Sequence, residues 1–147
     1  MFTVLAAIEL GRRVYQTSLE LNKLTCLTPD LIYDHYRTEL TNLEQEHFYA
    51  LFLNSHRELI KKHLLFIGTN NISLTHPRDI FREAILCNAS YLICLHNHPS
   101  SNKPIPSLAD IEFTKKVNKL GDLHSIPLLD HIIIGNTDYY SFYEEKM

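Results

Sequence analysis

The chain of 147 residues has little cysteine, no excess of positive charge and no long hydrophobic run, and each absence removes a class of protein. Its three cysteines, Cys26, Cys87 and Cys94, form neither a CxxC nor an even set. With no secretion signal ahead of them, they read as reduced thiols of a cytoplasmic protein rather than as a disulfide framework. Lys+Arg number 14 against Asp+Glu 17, a formal charge of −3, so nothing here is built to track a phosphate backbone. The nearest basic group, Lys115, Lys116 and Lys119, falls on an expected helix and reads as a solvated face. No window approaches a membrane span. The apolar opening, residues 1–8, is interrupted by Glu9 and followed by Arg12 and Arg13, whereas a signal peptide carries its positive charge first. No repeat, low-complexity tract or interdomain linker is visible.

What is present is ordinary globular composition, 45% hydrophobic and 21% charged, enough for one domain over 1–147 with its own core. Val4, Ile8, Gly11, Tyr15 and Leu19 step by about four and predict an amphipathic first helix. Thr28 as N-cap, Pro29 at the first position and Asp30 in the first turn open a second helix to about Leu40, so the helical N-terminal segment covers about 4–40. Residues 46–53 read as a buried strand, 54–57 as a turn and 59–67 as its antiparallel partner. Gly68-Thr69-Asn70-Asn71 breaks the chain before a third helix from His76-Pro77 to about Cys87. The wholly apolar run 91–95 predicts a central strand. A fourth helix opens at Ser107 and is expected to end at Gly121 as a C′ glycine. Strands at 126–135 and 139–142 close the chain. The order implies an α/β fold, a mixed β-sheet flanked by helices, with ligands at the carboxyl ends of strands.

At one such end stands His96-Asn97-His98-Pro99. Histidines at i and i+2 on an extended segment point to the same side. After a Pro-rich loop, Ser107-x-x-Asp110 presents a hydroxyl and a carboxylate at a helix start. Alone it is a capping box; together with the histidines it offers two imidazoles and a carboxylate with a fourth position open, the donor set of a catalytic Zn²⁺ site. Zinc lowers the pKa of bound water to about 7, a carboxylate must move its proton, and Ser107 can donate to a developing oxyanion. Many acids could serve as that base. Glu46 stands out only because it opens an apolar strand, where an unpaired carboxylate is costly. His35, His56, His63, His76 and His124 read as surface or satisfied core residues.

The pattern E…H-x-H-P…S-x-x-D resembles the JAMM (MPN/JAB) metalloprotease motif, and the whole chain is similar to the C-terminal domain of RadC proteins. The likeness rests on residues 7–13 (AIELGRR), Glu46-His47-Phe48, His76-Pro77-Arg78-Asp79, the His96–Ser100 core and residues 128–135 (LLDHIIIG). It implies a cytidine-deaminase-like sandwich, zinc held by His96, His98 and Asp110, Ser107 as the oxyanion-stabilising serine and Glu46 as general acid/base. It also implies cleavage of a peptide or isopeptide bond in a protein substrate. The alternative is a non-enzymatic DNA-repair or recombination accessory module with a structural or vestigial metal site. A zinc deaminase would need H-x-E and P-C-x-x-C, and the chain has neither. Two departures stand out: Ser101 replaces the usual glycine, and the loop between His98 and Ser107 is one residue longer than the motif's. The extra residue is expected to bulge at the surface, leaving Asp110 facing the metal. The helix-hairpin-helix region preceding this domain in full RadC proteins is not in this sequence, so DNA contact through it is not expected of this chain.

Overall fold

The runs 48–53 and 92–95 are apolar throughout and buried on both faces of their strands, so helices must cover the sheet on two sides. The computed structural model describes residues 2–21, 28–68 and 76–146. Helix α1 is Phe2–Leu21 and α2 is Pro29–Leu40. Strands β1, Glu46–Leu53, and β2, Leu59–Gly68, form a hairpin. Helix α3, Pro77–Leu86, leads to β3, Tyr91–Asn97; α4, Leu108–His124, leads to β4, Leu128–Ile134, and β5 is Tyr139–Ser141. The sheet order is β2-β1-β3-β4-β5, and β3 pairs with β4 in parallel across the α4 crossover while the other pairs are antiparallel. This is the mixed sheet flanked by helices that the sequence predicts.

The strand period of two divides the core. Phe48, Ala50, Phe52, Leu92 and Cys94 pack against Ile80, Phe81 and Ala84 of α3 and Phe113 and Val117 of α4. Tyr49, Leu51, Leu53, Ile93, Leu95, Ile132 and Ile134 pack on the other side against Ile32, Tyr36 and Leu40 of α2. Cys94 is buried, and burial pushes its thiol up, consistent with a core residue. Cys26, the turn residues Thr69, Asn70 and Asn71, and the side chains of Tyr15 and Leu19 lie outside the described residues.

Three expectations need correction. Helix α1 forms, but Val4 and Ile8 are 64% and 62% exposed, so no element covers the predicted apolar stripe at these positions; Glu9 bonds Arg12 and Arg13 across one turn instead. Thr28 occupies the N-cap of α2, but its side chain makes no cap bond to the backbone; it bonds the Asp30 carboxyl and lowers that group's pKa. Gly121 does not end α4. The helix continues to His124, and Ser125 takes the left-handed cap at φ 57°. The chain then doubles back across Gly121, where a Cβ would stand 2.7 Å from the Ile126 carbonyl oxygen and 3.2 Å from the Leu128 nitrogen. Gly121 is needed for close approach, not for turning.

Among the described residues no helix is long and apolar enough to cross a membrane.

Gly121→Ala decides between propensity and contact. In an open helix the change stabilises by about 1 kcal/mol. Here the added methyl meets backbone that cannot rotate away, so the urea midpoint should fall by the equivalent of about 1–3 kcal/mol with an unchanged m-value. A higher midpoint would refute the close-approach account.

Candidate metal centre

Three elements converge at the carboxyl end of β3. His96 is its penultimate residue, paired laterally with Phe48 of β1 and Ile133 of β4. His98 lies one residue beyond the strand, its N–H donating to the Ile134 carbonyl at 2.8 Å, which holds it in line with β4. Asp110 comes from α4, whose N-terminus the crossover brings over the same face. Phe48 stacks on the His96 ring at 5.3 Å and 16° and fixes its plane.

Helix α4 begins with the capping box read from the sequence. The Ser107 hydroxyl accepts from the Asp110 N–H at 3.1 Å, and the Ser107 N–H and hydroxyl both donate to Asp110 Oδ2 at 2.7 Å. That satisfies one carboxylate oxygen twice. The other, Oδ1, is buried without a hydrogen-bond partner. It lies 3.3 Å from His96 Nε2, while Oδ2 is 3.7 Å from His98 Nε2, and the two Nε2 atoms are 3.0 Å apart.

The His96–Asp110 contact is not an ion pair. Burial pushes the His96 imidazole down to about 3, outweighing the upward pull of Asp110, and His98 pushes it further down. With its proton on Nδ1, toward His131, a neutral His96 leaves lone pair facing lone pair at Asp110 Oδ1, an arrangement that a cation between them relieves. His96, His98 and Asp110 each offer one ligand atom, all within 4.8 Å of one another. A first-row cation bound tetrahedrally at about 2.0–2.1 Å needs donors about 3.3 Å apart, and His96 Nε2 lies 3.0 Å from His98 Nε2 and 3.3 Å from Asp110 Oδ1. The donors fit a metal ion.

The three residues read from the sequence as ligands therefore come together, and Ser107 lies beside them. The longer loop, 99–106, does not bulge freely, contrary to expectation. The Asn136 N–H donates to the Ser101 carbonyl at 2.8 Å, and the N–H groups of Thr137 and Asp138 both donate to the Asn102 carbonyl at 3.2 Å. Pro104 is buried, and a Cβ on Gly135 would come 2.6 Å from Asn102 O and Pro104 Cδ. The extra residue is absorbed in a loop fastened to the β4–β5 turn, with Asp110 still at the site. Glu46 opens β1, two residues before Phe48, and so shares the sheet face of Phe48 and His96.

Sequence reading passed over three residues. Asn97, buried between the two histidines, accepts from the His47 N–H at 2.7 Å and donates to the Gln45 carbonyl at 3.1 Å, gripping the backbone on both sides of Glu46. His131 and Thr114 lie behind His96, with Nε2 of His131 2.9 Å from Nδ1 of His96 and Nδ1 of His131 2.6 Å from the Thr114 hydroxyl. A signal existed in Asp130-His131, two polar residues inside an apolar strand. Asp130 proves structural: it accepts from Ser141 Oγ, Tyr143 N and His131 N.

A family model described as the RadC-like JAB domain matches residues 26–147. Among curated relatives, UPF0758 proteins of Halalkalibacterium halodurans, Enterococcus faecalis and Shouchella clausii are 44%, 42% and 43% identical over 140, 142 and 139 residues. These alignments cover 95%, 96% and 95% of this chain and 60% of each relative, so the chain spans about three fifths of the relatives' length.

Two outcomes follow from the unpaired oxygen and the neutral imidazoles. Asp110→Asn keeps an oxygen for the cap and turns an amide N–H₂ toward the bare His96 nitrogen. The metal-free variant should melt above the metal-free parent, by the equivalent of about 1 kcal/mol, while an added divalent cation raises only the parent's Tm. Equal or lower stability of the variant would refute the lone-pair account. Separately, His96 and His131 are held below the ordinary value of 6.5 by burial first. In the unfolded chain they protonate below about 6.5, so their contribution is present above that pH and lost as pH falls. Metal-free stability should drop from pH 7.5 to 5, by at most about 1.4 kcal/mol per unit for each group. A flat urea midpoint over that range would contradict it.

Proposed function

The chain belongs to the RadC-like JAB domain family, and from that membership and the three-donor pocket we propose that it is a zinc-dependent hydrolase cleaving an amide bond in a peptide or protein substrate. The observation that carries the proposal is Asp110 Oδ1, buried and without a hydrogen-bond partner, 3.3 Å from His96 Nε2. A buried acceptor left unpaired calls for a partner, and a cation held among these donors supplies one. Two histidines and one carboxylate are also a catalytic donor set rather than a structural one, because a position stays open.

His96, His98 and Asp110 would hold the ion, which when bound acidifies a water and polarises the substrate carbonyl. Glu46 takes the proton of the attacking water and delivers it to the departing amine nitrogen, so proton and leaving group balance across the C–N cleavage. The sheet register and the Asn97 grip on the adjoining backbone support that role. The Ser107 hydroxyl donates to the oxygen that becomes negative. Its one proton now goes to Asp110 Oδ2, and it is releasable because the Ser107 N–H bonds the same oxygen. The formal charge of −3 supports a protein substrate over direct nucleic-acid binding, and the scattered cysteines support a cytoplasmic setting.

Elemental measurement of the purified chain should find about one zinc, lost in His98→Ala. Glu46→Gln should retain zinc and lose at least about 10²-fold in turnover of a peptide and isopeptide panel. Zinc bound with no cleavage by the parent would favour the accessory-module reading with a structural metal site, and no zinc after reconstitution would end the hydrolase reading.

A further inference from the structure

His131 is fully buried in β4, faces the back of His96 and touches neither Asp110's carboxylate nor His98 by any hydrogen bond. Its ring stacks on Phe142 at 5.0 Å and 7°, which fixes its plane as Phe48 fixes that of His96. The question is what a second buried imidazole does there.

The proton positions follow from one donor. Thr114 Oγ1 donates its single hydrogen to the Asp110 main-chain carbonyl at 2.6 Å. It therefore has only lone pairs for His131 Nδ1, also at 2.6 Å, and His131 must carry its proton on Nδ1. Were the hydroxyl turned toward His131, two acceptors would face each other at 2.6 Å across the Thr114–Asp110 contact. With Nδ1 protonated, Nε2 of a neutral His131 is an acceptor, so His96 Nδ1 donates to it at 2.9 Å. The remaining nitrogen of His96, Nε2, is then bare, and it is the atom aimed at Asp110 Oδ1 and His98 Nε2. The relay starts at the carbonyl of Asp110 and returns to the carboxylate of the same residue.

We infer that Thr114 and His131 are positioning residues that fix the tautomer of His96, so that Nε2 is presented as a ligand before any metal arrives. This rests on the metal reading above and adds to it a device that selects one of two imidazole tautomers by a backbone carbonyl. Removing the hydroxyl frees His131 to carry its proton on Nε2, which turns His96 Nδ1 into an acceptor and places the His96 proton where the cation belongs.

The full chain is tested with Zn²⁺ alone, against a competing chelator, and by long-range ¹H–¹⁵N spectra of its histidines without metal at pH 8. Thr114→Val should weaken zinc binding by about 10–100-fold, the usual loss when a ligand's hydrogen-bond partner is removed, and Thr114→Ser should restore it to within about threefold, with far-UV circular dichroism unchanged in both. In the parent's spectra His131 and His96 should both carry hydrogen on Nδ1. A proton on His131 Nε2, or unchanged affinity in a folded Thr114→Val, overturns the inference. If Thr114→Val does not fold, the parent's tautomer spectrum decides. If the parent binds no zinc, the proposed function fails while the same spectrum still tests the relay.

Discussion

The Asp110 carboxylate serves two ends whose demands differ. Helix α4 needs an acceptor at its N-terminus, and Oδ2 supplies one to Ser107 twice. The candidate metal group beneath takes the other oxygen, Oδ1, which is buried without a hydrogen-bond partner. Because one side chain carries both, the start of the crossover helix cannot shift without moving the donor set, and the donor set cannot be rearranged without uncapping the helix. The main-chain carbonyl of Asp110 ties in the Thr114 and His131 side as well.

The sheet explains why the site faces where it does. Period-two alternation puts Phe48, Ala50, Phe52 and Leu92 and Cys94 on the side of α3 and α4, and His96 continues that series. As the apolar series runs out at the strand end, the polar group takes its place, still walled by Phe48 and Phe113. Burial there keeps His96 neutral, the form in which an imidazole donates a lone pair.

Local signals in the sequence carried those features that depend on neighbours along the chain. The span of α2 follows from Pro29, β1 from its aromatic run, and the Ser107–Asp110 box from its three-residue spacing. The His-x-His and Asp110 were legible as a set because each has a positional meaning at a strand end or a helix start. What could not be read depends on distant segments meeting. Gly121 resembled a helix stop because the carbonyl of Ile126 that folds against it is a tertiary fact. His131 stood in the 128–135 stretch as a polar residue in an apolar strand with no role attached, and its partner Thr114 is 17 positions away on a helix. The loop 99–106 looked free because its hydrogen bonds go to residues 136–138.

That fastening has a bearing on how a molecule enters. The loop beside the metal group is held by backbone bonds to the β4–β5 turn, with Pro104 seated against Gly135. The rim of the candidate site on this side is therefore held in place by the β4–β5 turn. On the reading proposed above, little ordering entropy would be spent on this rim when a substrate binds.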